Sequence, residues 1–309
     1  MVEYTWIAIG CLCEKRNERK GRDRSMIFKI ITDSTADLNP EIIAQYDITV
    51  ASLEVIMDEK PYKASDVTNE VFYAHLEDCL KNNKKLPSTS QVTPYGFEKV
   101  LEPYANKEDT FVLVFTIGKE LSNTHYSAQK AIENLEMKNV YLADTETATF
   151  CLGALVTEVA KLAKKPGMTK EDLISATEDL VSRVWIYFAI DDLRCLRAGG
   201  RLSEEAMKQG MMARLKPIAY IHKKVEICGK AMGQGMATKW IAERVAAERD
   251  PALPLYFGQA MANEPIEKYK SQFAELLQLT GEELNYTMGP IVGTHTGAGC
   301  EGIAFFKKK

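Results

Sequence analysis

The stretch that most constrains this chain is Thr110 to Glu133, TFVLVFTIGKELSNTHYSAQKAIE. It opens on Phe111-Val112-Leu113-Val114-Phe115, an unbroken apolar run rich in β-branched and aromatic residues, which is how a strand covered on both faces reads. The run predicts a central parallel strand. After Ile117 the pattern breaks at Gly118-Lys119-Glu120, and Ser122 then opens a helical run with Tyr126, Ala128, Ala131 and Ile132 as its inward residues. A hydroxyl is thereby placed at a helix N-terminus, just beyond the carboxyl end of a buried strand. In open α/β sheets ligands bind there, because unpaired N–H groups and the positive end of the helix dipole face a crevice. The expected guest carries an anionic head group.

The flanking segments supply the rest of an α/β pattern. Ile27 to Thr32 reads as a strand, Asp33 to Asp37 as a turn of capping side chains, and Pro40 to Tyr46 as a short helix. Ile48 to Ile56 reads as a second strand, Met57 to Ser65 as a small hairpin, and Asn69 to Asn83 as a helix. Leu86 to Pro94, dense in hydroxyls and pinned by proline at both ends, predicts a rigid loop presenting polar groups. A helix over Tyr95 to Tyr104, a strand over Asn139 to Ala143 and a long helix from Ala148 to Lys165 follow.

A chain of 309 residues exceeds what one core usually serves, and Pro166-Gly167 marks the expected boundary. Residues 26–166 are read as an N-terminal parallel-sheet α/β domain. Residues 167–309 are read as a C-terminal α/β domain with a mixed or largely antiparallel sheet, because Lys216 to His222 and Lys224 to Cys228 form a hairpin pattern. Helices are expected at Lys170 to Arg183, Leu193 to Met212 with an interruption at Ala198-Gly199-Gly200, Thr238 to Arg249 and Pro265 to Leu279. Strands are expected at Val184 to Ile190, Leu253 to Gln259, Thr287 to Val292 and Gly302 to Phe306, with Gly293 to Gly299 as a glycine-rich loop.

Composition narrows the partners. A formal charge of −4 and a pI near 5.8 argue against nucleic acid, since a phosphate-binding surface shows as a basic excess. Seven scattered cysteines, without CxxC pairs or a histidine-rich cluster, suggest a reducing cytoplasm and no structural zinc. Residues 1–25 join a ten-residue apolar stretch, too short to span a bilayer, to the charge run EKRNERKGRDRS. They are read as a disordered or non-native extension, with Met26 as the natural start.

The same residues allow other readings. Ser122 and Thr89, taken alone, fit a helix cap and a turn former; Asp33, Ser34 and Asp37 fit caps as well. A serine-dependent lipid esterase would use Ser122 with His295, the one histidine of four that stands in a glycine-rich setting, but there is no G-x-S-x-G elbow. A phosphotransferase could use Gly293 to Gly299 as an anion nest, although that run precedes a strand pattern and lacks the Lys-Ser/Thr ending of a P-loop. No catalytic residue is assigned, and no metal or cofactor is expected. His75 fits an apolar helix face, His125 a solvated one, and His222 a hairpin surface.

Seven stretches, in order and spacing, resemble one family. ITDSTADL (31–38), PSTSQ (87–91), FTIGKELSNTHYSA (115–128), DTETATFCLGALV (144–156), LRAGGRLS (196–203), LKPI (215–218) and GPIVGTHTGAG (289–299) are similar to the DegV-like fatty-acid-binding proteins across essentially all of residues 26–309. The resemblance implies two α/β domains with one long-chain fatty acid between them, its tail in an apolar tunnel. It implies that Thr89 and Ser122 hydrogen-bond the carboxylate with His295 adjacent, and that Ser90, Arg201, Thr294 and Thr296 stand around them or toward a phosphate region. It further implies a cytoplasmic carrier in phospholipid metabolism, with transient membrane contact, that presents the acid to a fatty acid kinase. Two departures stand out. Asn123 replaces a usual glycine, and Ala231 to Thr238 lacks the basic segment seen in kinase-partnered members, which weighs against that partnership.

Overall fold

The computed structural model describes residues 26–190, 192–200, 202–205, 207–208, 216–261 and 266–309. The chain begins with β1 (Ile27–Asp33), α1 (Pro40–Tyr46, with Pro40 at the first helical position), β2 (Thr49–Ala51), β3 (Glu54–Met57), β4 (Lys60–Lys63) and α2 (Asn69–Lys81). It continues through β5 (Ser88–Ser90), α3 (Pro94–Leu101), β6 (Thr110–Phe115), α4 (Thr124–Asn134), β7 (Val140–Ala143) and α5 (Thr149–Ala163). Strands β2-β1-β6-β7 form a parallel sheet, in which every residue of β6 is buried, as an apolar run covered on both faces requires.

After α6 (Lys170–Arg183) come β8 (Val184–Ala189), α7 (Leu193–Ala198), β9 (Lys216–His222), β10 (Lys224–Ala231), α8 (Gln234–Glu248) and β11 (Tyr256–Gln259). The chain closes with α9 (Ile266–Leu277), β12 (Leu284–Thr287), α10 (Pro290–Thr296) and β13 (Glu301–Phe306). The second sheet runs β10-β9-β8-β13-β11-β12; all its pairs are antiparallel except β11 with β12. The expected α/β class, with a parallel sheet first and a largely antiparallel one second, is what the chain forms.

Helix α5 joins the two sheets. Its residues from Thr149 to Ala160 are buried without interruption, the pattern of a helix enclosed on all sides. Phe150 lies over Gly258 of β11 so closely that a Cβ there would overlap the ring, and Thr157 Oγ1 meets the Tyr286 hydroxyl of β12 at 2.9 Å. Among the described residues no helix is long and apolar enough to cross a membrane.

Four local expectations need correction. Ile48 to Ile56 is two strands in different sheets, because the chain turns at Ser52-Leu53, where the Leu53 N–H donates to Ser34 Oγ at 2.9 Å. The hydroxyl-rich loop contains a strand: β5 pairs antiparallel with β3, placing Thr89 opposite Val55 in a β4-β3-β5 sheet. On α4 the inward residue is His125 rather than Tyr126, which is half exposed. Finally, Met288 to Val292 is no strand and Gly293 to Thr296 no loop; β12 ends at Thr287, Pro290 starts α10, and only Gly297 to Gly299 keep the expected loop. The β-branched and glycine residues there read as strand and loop. Burial of Ile291 and Val292, and the Tyr73 hydroxyl donating to Met288 O at 2.9 Å, make a short helix pay instead.

Candidate functional site

In the parallel sheet the chain leaves β1 toward one edge and β6 toward the other, so the point where strand order reverses lies between them. A crevice at the carboxyl ends of such neighbours is the natural ligand site of an open α/β sheet. Here Asp33, ending β1, accepts from the Ile117 N–H just beyond β6 at 2.8 Å, as well as from Thr35 N and Oγ1. The turn after Ile117 is held further by Gly118 N–H to Thr147 O at 2.8 Å, and by Leu121 and Ser122 N–H groups donating back to Gly118 O. Ser122 is therefore fixed by its backbone. Its Oγ lies 2.9 Å from Thr124 Oγ1 and accepts from the Thr124 N–H at 3.3 Å, so it precedes α4 by two residues instead of opening the helix.

Beside this turn lies a cleft of about 270 Å³, lined by Leu53, Thr89, Ser90, Gln91 and the run from Lys119 to Asn123. Thr89, on β5, and Ser122, in the turn between β6 and α4, thus line one hollow. Gln91 Nε2 donates to Ser127 Oγ at 3.0 Å and ties the β5–α3 connection to α4. Behind Thr89 stands His295 of α10, with its Nε2 at 3.2 Å from Thr89 Oγ1. With the proton on Nε2, the ring donates to that oxygen and the threonine O–H is left to point into the cleft.

His295 owes its place to a glycine. A Cβ on Gly199, at the end of α7, would overlap the imidazole at Nδ1 and Cε1. Gly199→Ala is therefore expected to displace the ring from Thr89 and to cost about 1–3 kcal/mol of stability in urea unfolding, the usual penalty of overpacking. Unchanged stability and an unmoved imidazole resonance would contradict this packing role.

Of the other expected site residues, Ser90 lines the cleft. Thr294 and Thr296 are buried and turn their hydroxyls to Pro290 O and Val292 O within their own helix, away from the lining residues. Arg201 lies outside the described residues, as do residues 1–25. The polar lining residues that sequence reasoning does not single out are Gln91, Lys119 and Glu120.

Two carboxylates read as caps hold the site together. Asp37 accepts from the Gly289 N–H, just before α10, at 2.8 Å, and from Thr149 Oγ1, at the start of α5, at 2.7 Å. Thr149 adopts φ 59°, a costly conformation for a β-branched residue. Burial pushes the Asp33 carboxyl up to about 6 and the Asp37 carboxyl up to about 7, against the hydrogen bonds that pull each down. A carboxyl whose folded value exceeds its unfolded one holds its proton more tightly in the native state, so its stabilisation is full below about pH 4 and lost as pH rises through 6 to 7. Urea unfolding is expected to show a loss of about 4 kcal/mol between about pH 5 and about pH 8, the larger part of it from Asp37. Asp37→Asn, which keeps an acceptor for the Gly289 N–H, should remove the larger part of that loss and leave the smaller part from Asp33. An identical slope in the variant would contradict the assignment.

A parallel sheet with a polar cleft at its switch point, followed by a largely antiparallel sheet, defines a two-part α/β fold. The family described as "Uncharacterised protein, DegV family" matches residues 27–308, and the chain belongs to it. Its fold is shared with the DegV-family protein of Thermus thermophilus described as fatty acid binding, at 24% identity and a TM-score of 0.81 over 92% of this chain and 100% of that one. DegV of Bacillus subtilis, described as a fatty acid binding protein, is 28% identical with a TM-score of 0.75 over 92% and 100% of the two chains. The fatty acid kinase B3 protein of Streptococcus pneumoniae, solved loaded with linoleic acid, shares the fold at 15% identity and a TM-score of 0.79, over 92% and 100%.

Proposed function

We propose that this protein is a non-enzymatic cytoplasmic carrier of one long-chain fatty acid, with the carboxylate held by the hydroxyls of Thr89 and Ser122 and with His295 orienting Thr89. The observation that carries this reading is the meeting of these two residues, one on β5 and one in the turn before α4, on one cleft with the imidazole behind one of them. Hydroxyl donors hold a carboxylate by charge-assisted hydrogen bonds. Burial of the tail would supply most of the affinity: about 14 methylenes at about 0.8 kcal/mol each give roughly 11 kcal/mol before ordering costs. The descriptions of the Thermus and Bacillus relatives support the ligand class.

Presentation of the bound acid to a separate kinase fits the likeness to the pneumococcal protein. Such a partner would meet this chain without a cation in residues 231–238, where Met232 and Met236 are exposed instead. An esterase would need Ser122 and a histidine as a pair, whereas Ser122 bonds Thr124 and His295 bonds Thr89. Protein purified natively should yield a long-chain fatty acid in its organic extract by mass spectrometry and show no turnover of acyl esters. Ester cleavage by this protein alone, abolished by Ser122→Ala, would replace the carrier with the esterase.

A further inference from the structure

The cleft contains charges of both signs. Among the residues that line it Lys119 carries the one positive charge and Glu120 the one negative charge. Lys119 Nζ sits 2.7 Å from Asp144 Oδ2, just past the end of β7, and this partner raises the lysine above its usual range. Both side chains are part exposed, at 41% and 30%. The lysine therefore belongs to the cleft wall on one side and to a carboxylate outside the cleft on the other. An exposed ion pair of this kind is weak, and a lysine stem is long and flexible, so exchange of one anionic partner for another costs little. An incoming carboxylate also needs a counter-charge against Glu120.

We propose that Lys119 is the residue that selects an anionic head group, by swinging from Asp144 to the ligand, and that Asp144 tunes affinity by competing for it. This rests on the fatty-acid reading of the cleft and deepens it: the ligand class becomes long-chain acyl anions, discriminated from neutral lipids with the same tail. The two partners of one ion pair then have opposite effects on binding. Removing the lysine removes a ligand contact, whereas neutralising the aspartate removes a competitor. An ion pair that served only to brace the turn would make both removals act in the same direction.

The test is titration of delipidated protein with palmitate and with hexadecanol, which has the same tail and a neutral head. Lys119→Met is expected to weaken palmitate about tenfold. Asp144→Asn is expected to strengthen palmitate about threefold, the worth of an exposed pair. Hexadecanol should be indifferent to both variants, and thermal melts of the two should stay near that of the parent. Palmitate binding that falls in both variants, or that Lys119→Met leaves unchanged while the parent binds normally, would overturn the role of Lys119 and leave the carrier reading standing. A parent that takes up neither lipid would remove both.

Discussion

Replacing Phe150 by alanine is expected to lower the unfolding free energy by about 3–5 kcal/mol, the range for a buried phenylalanine removed from a core. The ring is wholly buried at the first turn of α5, where the helix crosses from the parallel sheet to the mixed one. It rests on the backbone of Gly258 with no space for a side chain there, so the hole left by truncation is walled by a strand and a helix that cannot collapse into it. Urea midpoints with an unchanged slope would read the effect. Gly258→Ala alone should destabilise by overpacking, yet recover part of the loss in the Phe150→Ala background, where its methyl enters the vacated volume. A loss below about 1 kcal/mol for Phe150→Ala would mean that α5 does not pin the two sheets together.

Much of this architecture is legible in the sequence where packing and pattern agree. The apolar run of β6 announces a strand covered on both faces, and Pro40 marks the start of α1. The reading fails where one segment serves two neighbours. Ile48 to Ile56 is apolar enough for one strand, but a side chain nineteen residues earlier takes the Leu53 amide and diverts the chain into a second sheet. In α10 the residue types favour strand and loop, and long-range contacts to α2 decide for helix. The error on α4 is one of phase, since His125 and Tyr126 are adjacent and only the Thr116 hydroxyl, 3.2 Å from His125 Nδ1, shows which turns inward.

The site divides in the same way. Thr89, Ser122 and His295 stand out through family motifs; by residue type alone they are a turn former, a cap and a histidine among glycines. Their convergence depends on β5 pairing with β3 and on α10 packing beside α7, neither of which has a local signature. Asp33 and Asp37 look like caps, and Asp33 is one, but their distant partners Ile117 and Gly289 make them the ties of the site. Lys119 has no signature of its own in the sequence, because a lone charge in a turn has no periodicity to betray it.

The double replacement Thr89→Ala, Ser122→Ala is expected to weaken long-chain fatty acid binding by roughly 2–4 kcal/mol, since two hydrogen bonds to a charged group are lost. The effect should fall on the head group alone. Neither hydroxyl is part of the apolar core, so the variant should fold and bury the tail as before, and a neutral lipid of equal length should bind it as it binds the parent. Equal losses for acid and alcohol would point to a damaged cleft.

Calorimetric titration of the delipidated protein with palmitate tests the central claim most directly. The predicted result is saturable uptake of one acid per chain, weakened about thirtyfold to a thousandfold in the double alanine variant. No uptake by the parent, or identical affinity in parent and variant, would contradict it.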